Sequence, residues 1–221
     1  MRPLATEKNY HIFYQMMAGL SQEERAVLGL KGYGLSDLSY LNRGDTRTDE
    51  TEDVERFNTW KANLVILGIP CMDVLKVMAA ILLLGNIKFL ESGAGLELDM
   101  NSKEELQTVA GLIGVSPALL LQGLTSRTHT VRGQLIKSSS DAHLANNTRD
   151  SLAKALYCRL VASIVKRANS RKRPALSGSM SSNESVHHEV ASLHASTVGT
   201  AGSKKSSRSL AILSQAMRHA T

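Results

Sequence analysis

The sequence is poor in aromatic residues and in cysteine, and both shortages limit the kind of protein it encodes. Its 221 residues include nine aromatic side chains, and all of them lie at or before Tyr157. The two cysteines, Cys71 and Cys158, are far apart and belong to no CxxC or His–Cys cluster. This excludes a disulfide scaffold and a zinc module. Both cysteines are predicted to be buried thiols of a cytosolic protein.

A long apolar run is also missing. The most apolar stretch, residues 77–84, is far shorter than the about 20 residues of a membrane-spanning helix. The N-terminus lacks the apolar core of a secretory signal. Residues 73–90 surround this stretch with apolar side chains at steps of three and four, which predicts a core helix buried on most sides. Gly85 and Asn86 are predicted to end it in the left-handed conformation, before a short strand at 87–89.

Charge is distributed unevenly along the chain. The net charge is +6, and residues 170–221 hold seven Lys or Arg and two Asp or Glu, which leaves about +1 for the rest. A nearly neutral body gives no indication of a nucleic-acid partner. Residues 170–221 are rich in Ser, Gly and Ala and have too few large apolar side chains to offset the entropy of ordering. We therefore predict a folded domain at 7–169 and a disordered, Ser-rich basic tail or insert at 170–221.

Capping signals and periodicity predict that the folded part is mainly α. The predicted helix starts are Thr6, Ser21, Asp53, Asn101 or Ser102, Ser116, and Asn147 or Thr148. Ser21 and Glu24 are spaced as a capping box. Residues 91–100 are predicted to be a glycine-bearing loop. Residues 128–137 are predicted to be a β-hairpin that turns at Arg132–Gly133.

No catalytic or metal-binding set is evident. His11 lies beside aromatic residues on a predicted helix and is expected to be structural, and the histidines of the tail have no paired Cys or acidic cluster. Residues 93–95 (Gly-Ala-Gly) lack the Gly-Lys-Ser/Thr of a phosphate-binding loop, so they are predicted to be a flexible connection.

The predicted hairpin carries the most interesting charges, which are Arg127, His129, Arg132 and Lys137. One interpretation is a solvated surface, because exposure is the default for charged side chains. The other is an electrostatic contact with an acidic partner. A third possibility places that contact in the basic tail of a helical adaptor.

Four segments resemble the motor domain of myosin, in the same order and with similar spacing. They are residues 8–17 (KNYHIFYQMM), 39–42 (SYLN), 79–89 (AAILLLGNIKF) and 149–157 (RDSLAKALY). The resemblance covers about residues 7–169. It implies the upper half of the actin-binding cleft in a parent of the P-loop NTPase superfamily.

The resemblance implies that the parent couples ATP hydrolysis, with Mg²⁺, to actin binding and movement in the cytoplasm, in association with the cytoskeleton. The family's phosphate loop and first switch would precede residue 7, and its second switch would follow residue 169. We therefore expect no ATP hydrolysis or cofactor binding by this chain alone. Its expected partners are the actin filament and the rest of the motor domain. Residues 127–138 fall at the family's actin-contacting cardiomyopathy loop, and 91–98 at a second, weaker actin-facing loop.

Two departures from the family pattern imply divergence. Leu83 replaces a histidine, and Leu160–Val165 lacks the Phe and Trp of the family's last helix, which would cost packing energy if those positions are buried. The Ser-rich tail stands where the family continues into its second switch, as in a divergent unconventional myosin of the Dachs group with an insert there. Neither a lever nor a coiled tail is recognisable. Two hypotheses follow: a fragment of an actin-activated ATPase motor, or an actin-binding scaffold without ATP turnover.

Overall fold

The computed structural model describes residues 7–172, except 44, 45, 47, 48, 94, 132 and 133. The predicted mainly helical fold is confirmed. The helices are α1 (His11–Gly19), α2 (Gln22–Val27), α3 (Glu50–Ile66), α4 (Cys71–Leu84), α5 (Lys103–Ile113), α6 (Pro117–Thr125) and α7 (Ala142–Lys172). The strands are β1 (Phe89–Ser92), β2 (Gly95–Leu98), β3 (Ser126–Val131) and β4 (Gln134–Ser139). The predicted tail lies outside the described residues apart from its first three.

Helix α4 is the centre of the core, as its periodicity predicts. Nine of its side chains are buried, and they are Val74, Leu75, Met78, Ala79, Ala80, Ile81, Leu82, Leu83 and Leu84. Helices α5 and α7 pack against it, while α1 packs on α3. Burial of this many aliphatic side chains is the main stabilising term for the domain, because each removes apolar surface from water.

Gly85 ends α4 for a different reason from the predicted one. Its φ of −58° is right-handed, so no left-handed conformation requires glycine there. Instead, a Cβ on Gly85 would lie 2.8 Å from Cδ2 of Tyr40. The missing side chain makes room for the Tyr40 ring. The left-handed glycine end occurs at α5, where Gly114 has a φ of 75°.

Several predicted helix starts are confirmed and others are wrong. Ser21 and Glu24 form the predicted capping box, and Ser116 caps α6 ahead of Pro117. Helix α1 begins at His11 rather than near Thr6, which lies outside the described residues. Helix α3 begins three residues before the predicted Asp53, because the side chain of Asp49 accepts from the Glu52 amide.

The last helix also begins earlier than predicted. The Asp141 carboxylate accepts from the Leu144 amide at 2.7 Å, so α7 starts at Ala142, and Asn147 and Thr148 lie inside it. The exposed Cys158 on this helix contradicts the prediction of two buried thiols, and Cys71 is half-buried. Apolar spacing alone missed this because the C-terminal part of α7 turns little of its surface toward the core.

Two antiparallel hairpins complete the fold. Strands β3 and β4 confirm the predicted hairpin. The predicted loop at 91–100 is wrong, since β1 and β2 pair from Phe89↔Leu98 to Ser92↔Gly95. Within the described ranges, no single helix is long and apolar enough to cross a membrane. Met100–Ile113 and Pro117–Thr125 reach that length and composition only when taken together across a 108° bend.

Alanine substitutions at Gly85 and Gly111 should change the free energy of unfolding in opposite directions, because only Gly85 lies close to a neighbouring side chain. Gly85→Ala should lower the free energy of unfolding by about 1–3 kcal/mol, because the methyl group overpacks against the Tyr40 ring. Gly111→Ala, inside α5 with nothing within 4 Å of an added Cβ, should raise it by about 0.5–1 kcal/mol. Urea denaturation of both variants tests this, and changes of the same sign would contradict the packing argument.

Candidate filament-binding surface

Hairpin β3–β4 continues helix α6 without a connecting loop. Helix α6 ends at Thr125 and β3 begins at Ser126, whose hydroxyl donates to the Gln122 carbonyl at 2.7 Å. The Thr125 hydroxyl likewise donates to the Leu121 carbonyl at 2.8 Å. The Gln122 carbonyl also accepts from the Ser126 amide, so the backbone and side chain of Ser126 both bond the last turn of α6. They set the direction in which the hairpin leaves the helical body.

The base of the hairpin is closed from the other side by Ser140. Its amide donates to the Thr125 carbonyl at 2.8 Å, one residue after β4 ends. Ser140 is buried, and its hydroxyl has no protein partner among the described residues. Helix α7 begins two residues later at Ala142. The hairpin is therefore held between the end of α6 and the start of α7.

The structure places three of the four predicted contact residues on this hairpin. Arg127 is exposed on β3, and His129 follows two positions along the same strand. Lys137 pairs with Thr128 across the ribbon, while Arg127 pairs with Ser138. Arg132 lies outside the described residues.

Hairpin β1–β2 lies beside the start of helix α7. Phe89 is buried at its base, whereas Leu90, Glu91 and Ser92 are exposed. The Ser92 hydroxyl donates to Glu97 Oε1 at 2.6 Å across the ribbon. The base contacts α7. Both hairpins thus project from one corner of the fold.

A polar network that sequence reasoning missed holds this corner to the core. The Tyr40 hydroxyl donates to Asp150 Oδ1 at 2.6 Å, across 110 positions of sequence. Arg149 donates to the same oxygen through Nε at 2.9 Å and through Nη2 at 2.7 Å, and through Nη1 to the Ile87 carbonyl. No local pattern predicts such pairs, because their members are adjacent only after folding.

Burial and the Asp150 carboxylate both act on Tyr40. Burial, and then the hydrogen bond and negative charge of Asp150, raise the pKa of the Tyr40 phenol well above its ordinary value of 10. Arg149 opposes this shift weakly. Beside the network is a cavity of about 220 Å³, with cationic lining from Arg43, Lys88 and Arg149. The phenol remains a donor through the physiological range, so the network keeps its geometry.

The described residues contain no set of groups suited to catalysis by themselves. Among them, no cluster of three His, Cys, Asp or Glu side chains is placed to hold a metal ion. Residues 91–95, which match part of a phosphate loop by their letters, lie in hairpin β1–β2. A phosphate-binding loop leads into a helix N-terminus. These residues run between antiparallel strands instead.

Comparisons with known proteins agree with this arrangement. The profile of the family described as myosin head (motor domain) matches residues 1–178. Myosin-I heavy chain of Dictyostelium discoideum is 36% identical over 160 residues, which are 69% of this chain and 7% of the relative. Unconventional myosin-Ia of Gallus gallus is 33% identical over 175 residues, 76% of this chain and 17% of the relative. Unconventional myosin-Ib of Homo sapiens is 31% identical over 169 residues, which are 74% of this chain and 15% of the relative.

The chain belongs to the myosin head (motor domain) family, whose profile covers all the residues that the structure describes. It spans 7–17% of the length of the relatives named above. The resemblance seen in the four sequence segments is confirmed at the level of the motor domain and of relatives named as unconventional and class I myosins.

The Tyr40–Asp150 bond predicts a dependence of stability on alkaline pH. Because the folded-state pKa of Tyr40 is raised, the phenol stabilises the folded state fully below pH 10. This contribution to the free energy of unfolding is lost as the pH rises above 10. Tyr40→Phe should cost about 1.5–3 kcal/mol at neutral pH, the worth of a hydrogen bond to a charged group. The variant's free energy of unfolding should also fall less steeply than that of the unaltered chain as the pH rises above 10.

Chemical denaturation between pH 7 and pH 11 measures both effects. Tyr33→Phe is a comparison variant of the same sign, since the Tyr33 hydroxyl donates to Glu105 Oε1 at 3.1 Å and its pKa is raised to about 12, so its removal should also reduce the alkaline loss of stability. An unchanged alkaline slope in Tyr40→Phe would contradict the assigned role of this phenol.

Proposed function

We propose that this chain is the actin-facing part of an unconventional myosin motor and that hairpin β3–β4 is its main contact with the filament. The proposed contact residues are Arg127, His129, Arg132 and Lys137. The observation that carries the proposal is that, in a myosin head segment, the cation-bearing hairpin continues directly from helix α6 and exposes Arg127. Exposed cations favour association with an acidic surface by steering and by complementarity.

In this proposal the parent couples ATP hydrolysis to movement along actin, in the cytoplasm and in association with the cytoskeleton. The chain itself supplies no nucleotide site, and ATP and Mg²⁺ belong to the rest of the motor domain. The boundary proposed from composition, with a Ser-rich basic tail or insert at 170–221, lies close to the end of the family match at 178. The described helix α7 runs to Lys172, just past that boundary.

We also propose that the parent is a divergent, Dachs-like unconventional myosin. Leu83, which stands for the family histidine, is fully buried and adds apolar surface to the core. Val161, at the position of the family Phe, and Ser163, at that of the Trp, are exposed on α7. The absence of the two aromatic rings at these positions therefore costs no buried contact within this chain. No observation on the described residues favours a scaffold without ATP turnover.

Sequencing the complete transcript tests the parent's activity. An intact phosphate loop and both switches support a hydrolysing motor, whereas degenerate switches would overturn the ATPase part of the proposal. The actin contact would be unaffected by that result, since it depends on the hairpin.

Charge reversal on the hairpin tests the actin contact. The triple variant Arg127→Glu, Arg132→Glu and Lys137→Glu should weaken cosedimentation of the 221-residue chain with actin filaments by about tenfold or more, because three attractive charges become repulsive. Reversal of Arg127 alone and of Lys137 alone then indicates which strand of the hairpin contributes more to the contact.

The matched control reverses three exposed lysines elsewhere, Lys31, Lys103 and Lys166. It lowers the net charge by the same amount and should leave actin binding nearly unchanged. Deletion of 170–221 should also preserve binding. Binding that disappears with the tail and survives reversal of the hairpin charges would sink the hairpin assignment.

We predict that the 221-residue chain alone does not bind ATP with micromolar affinity. A phosphate-binding loop needs a Gly-rich turn with Lys and Ser or Thr, so that backbone amides and the lysine surround the phosphates. The sequence has no such combination. Calorimetric titration with Mg-ATP tests this, and a micromolar dissociation constant would overturn it.

A further inference from the structure

Asn146 joins helix α7 to strand β1 through its side-chain amide. Its Nδ2 donates to the Phe89 carbonyl at 2.9 Å, and its Oδ1 accepts from the Phe89 amide at 3.3 Å. These are the two bonds that a residue of a neighbouring antiparallel strand would make. The outer edge of β1 is therefore paired at Phe89 by a side chain instead of a third strand.

The neighbouring turns of α7 extend this attachment. Arg149 Nη1 donates to Asn146 Oδ1 at 2.8 Å and also to the Ile87 carbonyl, so it orients the amide while holding the approach to β1. Asn146 Nδ2 also donates to the Ala142 carbonyl at 2.8 Å. The Ala142 amide in turn donates to Glu91 Oε1 at 3.4 Å. The start of α7 thus bonds two residues of β1, Phe89 and Glu91, and Ile87 just before the strand.

The same turns anchor the other hairpin. Helix α7 starts three residues after Ser139, the last residue of β4, and Ser140 closes the base of that hairpin onto Thr125. A displacement at the start of α7 is consequently passed to both hairpins. With the amide in place, hairpins β1–β2 and β3–β4 have one fixed relative orientation.

We infer that Asn146 is a positioning residue that fixes hairpin β1–β2 relative to hairpin β3–β4, so that both meet the filament as one preorganised surface. The filament part of this inference rests on the proposed function, and the fixed orientation does not. Asparagine suits the role because one short side chain both donates to and accepts from Phe89. Fixing the surface before contact avoids the entropy of ordering two separate hairpins on binding.

Asn147 provides a matched control. It is the same residue type on the next position of α7, is exposed, and its side-chain amide lies 3.2 Å from His143 Nδ1 rather than against β1. Asn146→Ala removes both bonds to Phe89, and Asn147→Ala removes neither. Asn146→Asp keeps the shape of the side chain and the acceptor for the Phe89 amide, but it places a carboxylate oxygen against the Phe89 carbonyl. This variant therefore tests the bond donated by Asn146 Nδ2 if the alanine variant folds poorly.

Pulsed electron paramagnetic resonance measures the orientation directly. Spin labels are attached at Gly93→Cys, in the turn of the first hairpin, and at Ser138→Cys, exposed on β4, after Cys71→Ala and Cys158→Ser. Asn146→Ala and Asn146→Asp should broaden the distribution of distances between the labels, and Asn147→Ala should leave it narrow. An unchanged width in folded Asn146 variants would overturn the inference.

Actin cosedimentation of the same variants tests the consequence for binding. Asn146→Ala should weaken binding about fivefold although no charge changes, and Asn147→Ala should bind as the unaltered chain does. Equal affinity of all variants would overturn the role of Asn146 in filament binding. If the unaltered chain itself does not bind actin, the proposed function fails, and the resonance measurement still decides whether Asn146 fixes the hairpins.

Discussion

Burial of helix α4 is the constraint on which the rest of the structure depends. Its aliphatic side chains are enclosed by α5 on one side and α7 on another, so the positions of both helices follow from how they cover it. The end of α4 is set by contact, because the Tyr40 ring occupies the space beside Gly85. The same tyrosine bonds Asp150 on α7. Core packing therefore fixes the position of α7, whose start is capped by Asp141, and with it the position of both hairpin bases.

Two arginines show how charge is used differently in the core and on the surface. The side chain of Arg149 is 11% exposed and is fully engaged with Asp150, Asn146 and the Ile87 carbonyl. Its charge is compensated inside the fold, where an unpaired cation would be costly. Arg127 is exposed on the hairpin, where its charge acts on whatever approaches. The first arginine stabilises the corner, and the second is suited to recognition.

Much of this fold was predictable because its signals are local. The capping box at Ser21, the Ser116–Pro117 start and the apolar periodicity of α4 each report on neighbouring residues, and all agree with the structure. Hairpin β1–β2 was missed because β1 is exposed after Phe89 and shows no alternation, while the alternation of β2 covers only four residues, too few to mark a strand. The start of α7 was missed because several polar residues compete as caps, and Asp141 is the one that bonds the helix.

The candidate site was predictable in composition and not in geometry. The positive residues of hairpin β3–β4 follow from the sequence, but the pairing of Arg127 with Ser138 and of Lys137 with Thr128 needs the strand register. The partners of Asn146 and Tyr40 are 57 and 110 positions away. Such contacts are products of tertiary packing and have no signature in a local window. They are the contacts that turn separate hairpins into one surface.

The central claim is that hairpin β3–β4 of this myosin head segment meets the actin filament through its positive residues. Zero-length carbodiimide cross-linking tests it directly, because it joins a lysine to a carboxylate only where the two are already in contact. Filaments decorated with the 221-residue chain are cross-linked and digested, and the joined peptides are identified by mass spectrometry. The account predicts that Lys137 is joined to an actin carboxylate. Cross-links confined to Lys204 and Lys205 of the basic tail would contradict it.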